Sequence, residues 1–219
     1  KRYTAAAAEL LGDAYKTQWL CTDMQKVERT AMRLTKEYIT AQKAKKGERL
    51  ACRLRAITPL GMMYHKNTPQ KLCQNTIVIA DEYGAAANRL LSVIEEKALQ
   101  SGCKVITALD PIFPDKRIDA VMLPELKIAF CCENRYMHPA TENRRIHSRR
   151  FTNAKELQQH KPRLSFDKKT ADDMLREAAL YMAAAGKAHN AIEQYYVKVM
   201  NFEQIADLSQ RLIANIFEK

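Results

Sequence analysis

Asn75-Thr-Ile-Val-Ile-Ala-Asp-Glu-Tyr-Gly-Ala-Ala-Ala-Asn-Arg-Leu-Leu91 is the stretch on which the reading of this chain turns. The apolar run Ile77 to Ala80 predicts a short buried strand, and Asp81 to Ala86 a turn of small residues. Leu90, Leu91, Ile94 and Ala98 then recur at helical spacing, so a helix opens at about Ala87. Strand, turn and helix in that order are the context that gives the phosphate-loop pattern G-x-x-x-x-G-K-[ST] its meaning. Aligned on the pattern, Asp81 stands at the first glycine, Ala86 at the second, Ala87 at the lysine and Asn88 at the serine or threonine.

Each departure has a chemical consequence. Ala87 brings no charge to the terminal phosphates. Asn88 replaces a magnesium-binding hydroxyl with an amide, a poorer ligand for a small hard cation. Ala86 carries a Cβ that resists the positive φ needed to turn N–H groups inward. Asp81 places a carboxylate where phosphates are expected, so the local field opposes them. The helix N-terminus remains attractive to anions by itself. Gly84, Ala85, Ala86, Ala87, Asn88 and Arg89 thus form a vestigial phosphate loop, with no catalytic residue and no metal ligand assigned. An unrelated alanine-rich βα turn and a working site of unusual chemistry are the competing readings.

Around this stretch, 219 residues suffice for one α/β domain with a helical appendage. Hydrophobic residues at 47% and charged residues at 28% fit an ordinary globular protein. No run has the length of a membrane span, and the opening Lys1-Arg-Tyr-Thr-Ala-Ala-Ala-Ala has no signal-peptide core, so no membrane partner is expected. The absence of an initiator methionine before an abrupt helical start suggests part of something longer. Six cysteines without a C-x-x-C pair, and five dispersed histidines, do not provide metal-site spacing; reduced thiols in a cytoplasmic protein are the expectation. The net charge of +11 concentrates between Arg144 and Lys169 and again between Lys36 and Arg55. Such charge suits nucleic acid, nucleotides or acidic surfaces, although few aromatics interleave it and a solvated basic face is the plainer explanation.

Along the chain, helices are expected from Arg2 to about Leu20 and from Met24 to about Ala41, the second capped at Thr22-Asp23. A linker covers Ala41 to Glu48, and one alternating strand Arg49 to Ile57, followed by a turn at Thr58 to Gly61 and a poorly defined helix. Lys104 to Leu109, Ala120 to Leu123 and Lys127 to Cys132 read as further strands, with a short one near Ile146. Asp110, at the end of one strand, and Glu125, after another, are candidates for a carboxylate at the carboxyl edge of the sheet, where open α/β sheets bind ligands. Arg89, Arg117 and Arg135 are candidates for facing the same crevice. A long helix covers Thr170 to Met200, and a final one Phe202 to Phe217 is capped by Asn201.

The two ends of the chain resemble each other. Tyr3-Thr-Ala-Ala-Ala aligns with Tyr181-Met-Ala-Ala-Ala at an offset of 181 − 3 = 178, which also sets Met24 on Phe202, Val27 on Ile205 and Leu34 on Leu212. A period of this size indicates duplicated domains rather than solenoid repeats.

Five features in chain order carry a family resemblance: Ala56-Ile-Thr-Pro-Leu-Gly61, the Ile77 to Leu91 loop, Ile118-Asp-Ala-Val-Met-Leu-Pro-Glu-Leu-Lys-Ile-Ala-Phe130, Tyr195-Tyr-Val-Lys-Val-Met-Asn-Phe-Glu203 and the last helix. On these, residues from about Arg49 to Phe217 resemble one half of the tandem-repeat P-loop ATPase-like proteins of Firmicutes, described as hypothetical ATPases or nucleotide kinases. The resemblance implies an α/β, P-loop NTPase-like three-layer fold with a mainly parallel sheet, ATP and magnesium as the family's ligands, and a preceding repeat of the same polypeptide as partner. Residues 1–44 would be the helical tail of that repeat. Residues 45–219 would be the second domain, ending in a helical hairpin at 170–217. Where the family's loop reads G-x-P-G-T-G-K-S, only Gly84 is retained here. The expected function is therefore a pseudo-ATPase, a structural or regulatory half that does not hydrolyse nucleotide. The alternatives are an ATPase or nucleotide kinase with an atypical loop, in which Arg89 replaces the lysine, and a basic nucleic-acid-binding module.

Overall fold

The computed structural model describes residues 1–39 and 47–217. The linker expected from Ala41 to Glu48 and the boundary at residue 44 fall almost wholly outside the described residues. Two helices come first, α1 (Arg2–Leu20) and α2 (Met24–Tyr38). The Asp23 carboxylate accepts the Lys26 N–H at 2.9 Å and so starts α2. The remaining elements are β1 (Glu48–Cys52), β2 (Arg55–Thr58), β3 (Gly61–Tyr64), α3 (Thr68–Leu72), β4 (Asn75–Ala80) and α4 (Ala85–Gln100), then β5 (Lys104–Leu109), β6 (Ile118–Leu123), β7 (Ile128–Glu133), β8 (Arg144–His147), α5 (Ala154–Gln159), α6 (Lys161–Val197) and α7 (Phe202–Phe217).

Six strands form one sheet in the order β1-β5-β6-β7-β4-β8. β4 pairs in parallel with both β7 and β8, and β1 with β5, while β6 alone runs antiparallel to its neighbours. The protein is thus mixed α/β with a mostly parallel sheet. Side-chain alternation divides the core. Ile77, Ile79, Val121, Leu123, Ile128 and Phe130 meet α4 and the buried Val27, Ala31 and Leu34 of α2 on one face. Ala108, Ala120, Met122, Ala129 and Cys131 pack with Leu54 and Cys73 on the other. A third cluster joins α1 to α6 through Ala7, Ala171 and Leu175, with Ile57, Met62, Ile112 and Tyr136 against it.

Four expectations need correction. The single strand from Arg49 to Ile57 is two, because the chain turns after Cys52, buries Leu54 and sends β2 into a separate hairpin with β3. The loosely placed helix after Gly61 is therefore mostly strand β3, with only the short α3 beyond it. The long helix starts at Lys161, not Thr170, because Leu164 and Asp167 are already buried. Its closing hairpin is open: from Leu180 onward α6 is exposed but for the half-buried Ala183, and α7 lies in extended contact with no other element. Among the described residues no helix is long and apolar enough to cross a membrane.

Candidate functional site

The carboxyl ends of β4, β5 and β7 and the start of α4 converge at one edge of the sheet, where α1 and α6 lie over them. β4 delivers Asp81, and Gly84 sits at φ 84°, a left-handed conformation that a Cβ would strain. α4 then begins with Ala85, Ala86 and Ala87, none of which has any exposure. A helix start presents unbonded N–H groups and the positive end of the helix dipole.

That anion seat is filled from within the chain. The Asp81 carboxylate, 1% exposed, accepts the Ala87 N–H at 2.9 Å through Oδ2. Its Oδ1 accepts from Gln18 Nε2 at 2.5 Å, and Gln18 Oε1 in turn accepts the Ala85 N–H at 2.9 Å. A carboxylate just after β4 and an amide from α1 therefore take hydrogen bonds that a helix start offers to an anion. Asn88 is committed as well. Its Oδ1 accepts the Ile118 N–H at 3.0 Å, and its Nδ2 donates to Tyr15 Oη and to the Lys116 carbonyl, each at 3.2 Å.

Beside the seat lies a crevice of about 60 Å³ lined by Arg55, Asp110, Arg117, Asp119 and Tyr136 among others. At its floor Arg55, 3% exposed, donates through Nε to Asp119 Oδ2 at 2.7 Å, and through Nη2 to Asp110 Oδ2 and Asp119 Oδ1 at 2.9 Å each. Burial opposes the Arg55 charge, but the hydrogen bonds and charge of Asp119, with Asp110 behind them, hold its pKa above the ordinary value. Arg117 stacks over Phe113 at 3.7 Å and Tyr15 at 4.2 Å, and Nη2 reaches the Leu11 carbonyl at 3.3 Å. Burial lowers its pKa, with Asp110 acting the other way. Arg135 pairs with Asp172 of α6 at 2.6 Å, and Lys168 pairs with Glu82 of the turn. Tyr136 donates its hydroxyl to Asp172. The four cations of the crevice thus meet three carboxylates in its wall, Glu82, Asp110 and Asp119, and Asp172 beside it, and its volume suits a few water molecules. Pockets for drug-sized ligands run to roughly 300–1,000 Å³, a range reached by the open cleft of about 620 Å³ between Gln18, Glu82, Tyr83 and Arg149.

Of the residues expected at the site, Gly84 to Asn88 gather at the helix start, whereas Arg89 turns away to pair with Glu28 of α2 at 2.5 Å. Arg117, Arg135 and Asp110 line the crevice. Glu125 belongs to the turn between β6 and β7, at the opposite edge of the sheet. Gln18, Arg55, Asp119, Tyr136 and Lys168 were not anticipated. Asp119 left a sequence signal, a lone acid inside the apolar run of β6. Gln18 left none, because its partners lie 63 and 67 residues away. No group of three or more histidine, cysteine, aspartate or glutamate side chains suited to a metal ion is present among the described residues.

Four of the nine basic residues from Arg144 to Lys169 are paired, Lys168 with Glu82 among them. Arg144 pairs with Glu37, Arg145 with Glu133 and Glu142, and Arg163 with Asp13. Comparison with protein-family models, with curated proteins and with solved structures returns no match to this chain.

Proposed function

We propose that this chain is a non-hydrolysing half of a tandem protein, built on a P-loop NTPase-like scaffold and kept for a structural or regulatory role. The observation that carries the reading is the filled anion seat: Asp81 and Gln18 hold the Ala87 and Ala85 N–H groups at 2.9 Å each. A phosphate would have to displace a buried carboxylate and break these bonds, with no lysine in return. Asn88 supports the same reading, because its amide ties α4 to the loop before β6 and is not free for a cation. An atypical working site loses its stand-in cation, since Arg89 is paired with Glu28. Against a nucleic-acid role stands the pairing of four of the nine basic residues between Arg144 and Lys169 with carboxylates of this chain.

Thermal unfolding of the intact chain with and without ATP and magnesium tests the proposal. A ligand at ~100 times its Kd adds about 2.7 kcal/mol of stability. For a domain of this size that would raise Tm by roughly 5–10 °C. The expected result at 1 mM ATP is no shift, and a shift of that size would overturn the proposal.

A further inference from the structure

The tail of the molecule carries an apolar face that none of the described residues covers. Leu208, Leu212, Ile213 and Ile216 of α7 are all more than half exposed, as are Ile192, Tyr195 and Tyr196 of α6. Large apolar side chains left exposed along a helix face mark an interaction surface.

The repeat shows what such a face is for. At the offset of 178, α1–α2 is the counterpart of residues 181–217. The correspondence extends to atoms: Asp23 caps α2 by accepting the Lys26 N–H, and Asn201 caps α7 by accepting the Gln204 N–H, with both pairs in register. Yet Val27 and Leu34 have no exposure, while their counterparts Ile205 and Leu212 are 40% and 53% exposed. The same face is seated against α4 and the sheet in one copy and bare in the other.

The contact between the copies gives the geometry. α1 and α6 run antiparallel, with Asp13 against Arg163 at one end and Tyr3 against Tyr181 at the other. Tyr3 and Tyr181 are each other's counterparts, and their rings stack with centroids 5.3 Å apart. A residue meeting its own counterpart is the mark of a two-fold axis. Rotation about that axis carries α1–α2, seated on this core, onto α6–α7 seated on a second one.

We infer that the α6 tail and α7 form a docking arm for a second α/β core of this build, placed ahead of α1 in the same polypeptide. The two cores exchange arms: α1–α2 completes this core, and residues 181–217 complete the other. A second copy of this chain is a poorer occupant, because its seat is already filled by its own α2. The inference rests on the tandem part of the proposed function and not on the filled anion seat.

The test uses the full chain with residues 47–180 repeated ahead of Tyr3, in the register of the 178-residue offset, and no nucleotide is added. Hydrogen exchange of residues 202–217 is compared with that in the unextended chain. The expected result is exchange slowed by at least ~100-fold in the extended chain, as for a docked helix rather than a frayed one. Leu208→Asp with Leu212→Asp in the extended chain should return the fast rate. Equal exchange in both chains, or a repeated core that stays unfolded although the arm is present to complete it, would overturn the inference. So would slow exchange in the unextended chain together with the sedimentation of a dimer, which assigns the arm to a second copy.

Discussion

The Asp81 carboxylate accepts the Ala87 N–H at 2.9 Å, so a strand-end acid caps the very helix whose start it would be expected to repel phosphate from. The same carboxylate holds Gln18 of α1 at 2.5 Å and ties the N-terminal helix to the sheet edge. Asp81→Ala removes the acceptor of two buried donors, each costing about 1–3 kcal/mol when left unmet. Urea unfolding should show a loss of roughly 2–4 kcal/mol. Gln18→Ala should cost less, because Asp81 keeps its bond to Ala87.

Arg55 is the counter-charge for two buried acids. Arg55→Met strands Asp110 and Asp119 and should destabilise the fold by about 3–5 kcal/mol. Arg55→Met with Asp119→Leu should recover part of that loss, because the pair is then replaced by apolar volume. A double-mutant cycle by chemical unfolding measures the coupling. Additivity of the two single losses would show that the pair is not the unit described.

Stability should fall in alkali. Burial pushes the Cys73 thiol up to about 11 from 9.0, and pushes Cys131 and Cys132 higher still. The folded state therefore keeps these protons when the unfolded chain has released them. The contribution is fully present below about pH 9, the unfolded value, and is lost as pH rises towards 11. Cys73 alone accounts for on the order of 2 kcal/mol of that loss. The urea midpoint of Cys73→Ala should fall less between pH 8 and pH 11 than that of the parent.

How much could be read beforehand follows from where the signals lie. β4, α4 and the cap of α7 were legible because each is set by neighbours a few residues apart: an apolar run, a helical period, and Asn201 three residues before Gln204. The strand from Arg49 to Ile57 misled because Leu50, Cys52 and Leu54 alternate straight through the point where the chain leaves the sheet. A turn running from Asp81 into α4, with Gly84 as its sole glycine and no lysine, was legible, whereas the partners of its N–H groups were not. Gln18 lies in an alanine-rich helix with nothing local to mark it, and only the packing of α1 across the sheet edge brings it to Ala85. Arg89 shows the converse, a basic residue beside the loop whose helical position aims it at Glu28 instead.

The central claim is that the phosphate seat is present but occupied by the chain's own side chains. It is tested most directly by emptying and rebuilding it: Gln18→Ala and Asp81→Gly vacate the seat, and Ala86→Gly, Ala87→Lys and Asn88→Ser restore the loop. Ala87 is fully buried, so the lysine is introduced only together with the Gln18 and Asp81 truncations. A charge-assisted contact of about 1.5–3 kcal/mol corresponds to roughly ten- to hundredfold in affinity. Isothermal titration with ATP and magnesium should detect no binding to the parent and a gain of at least that order in the rebuilt, folded variant. Micromolar binding by the parent, or a folded variant with no gain over it, would contradict the account.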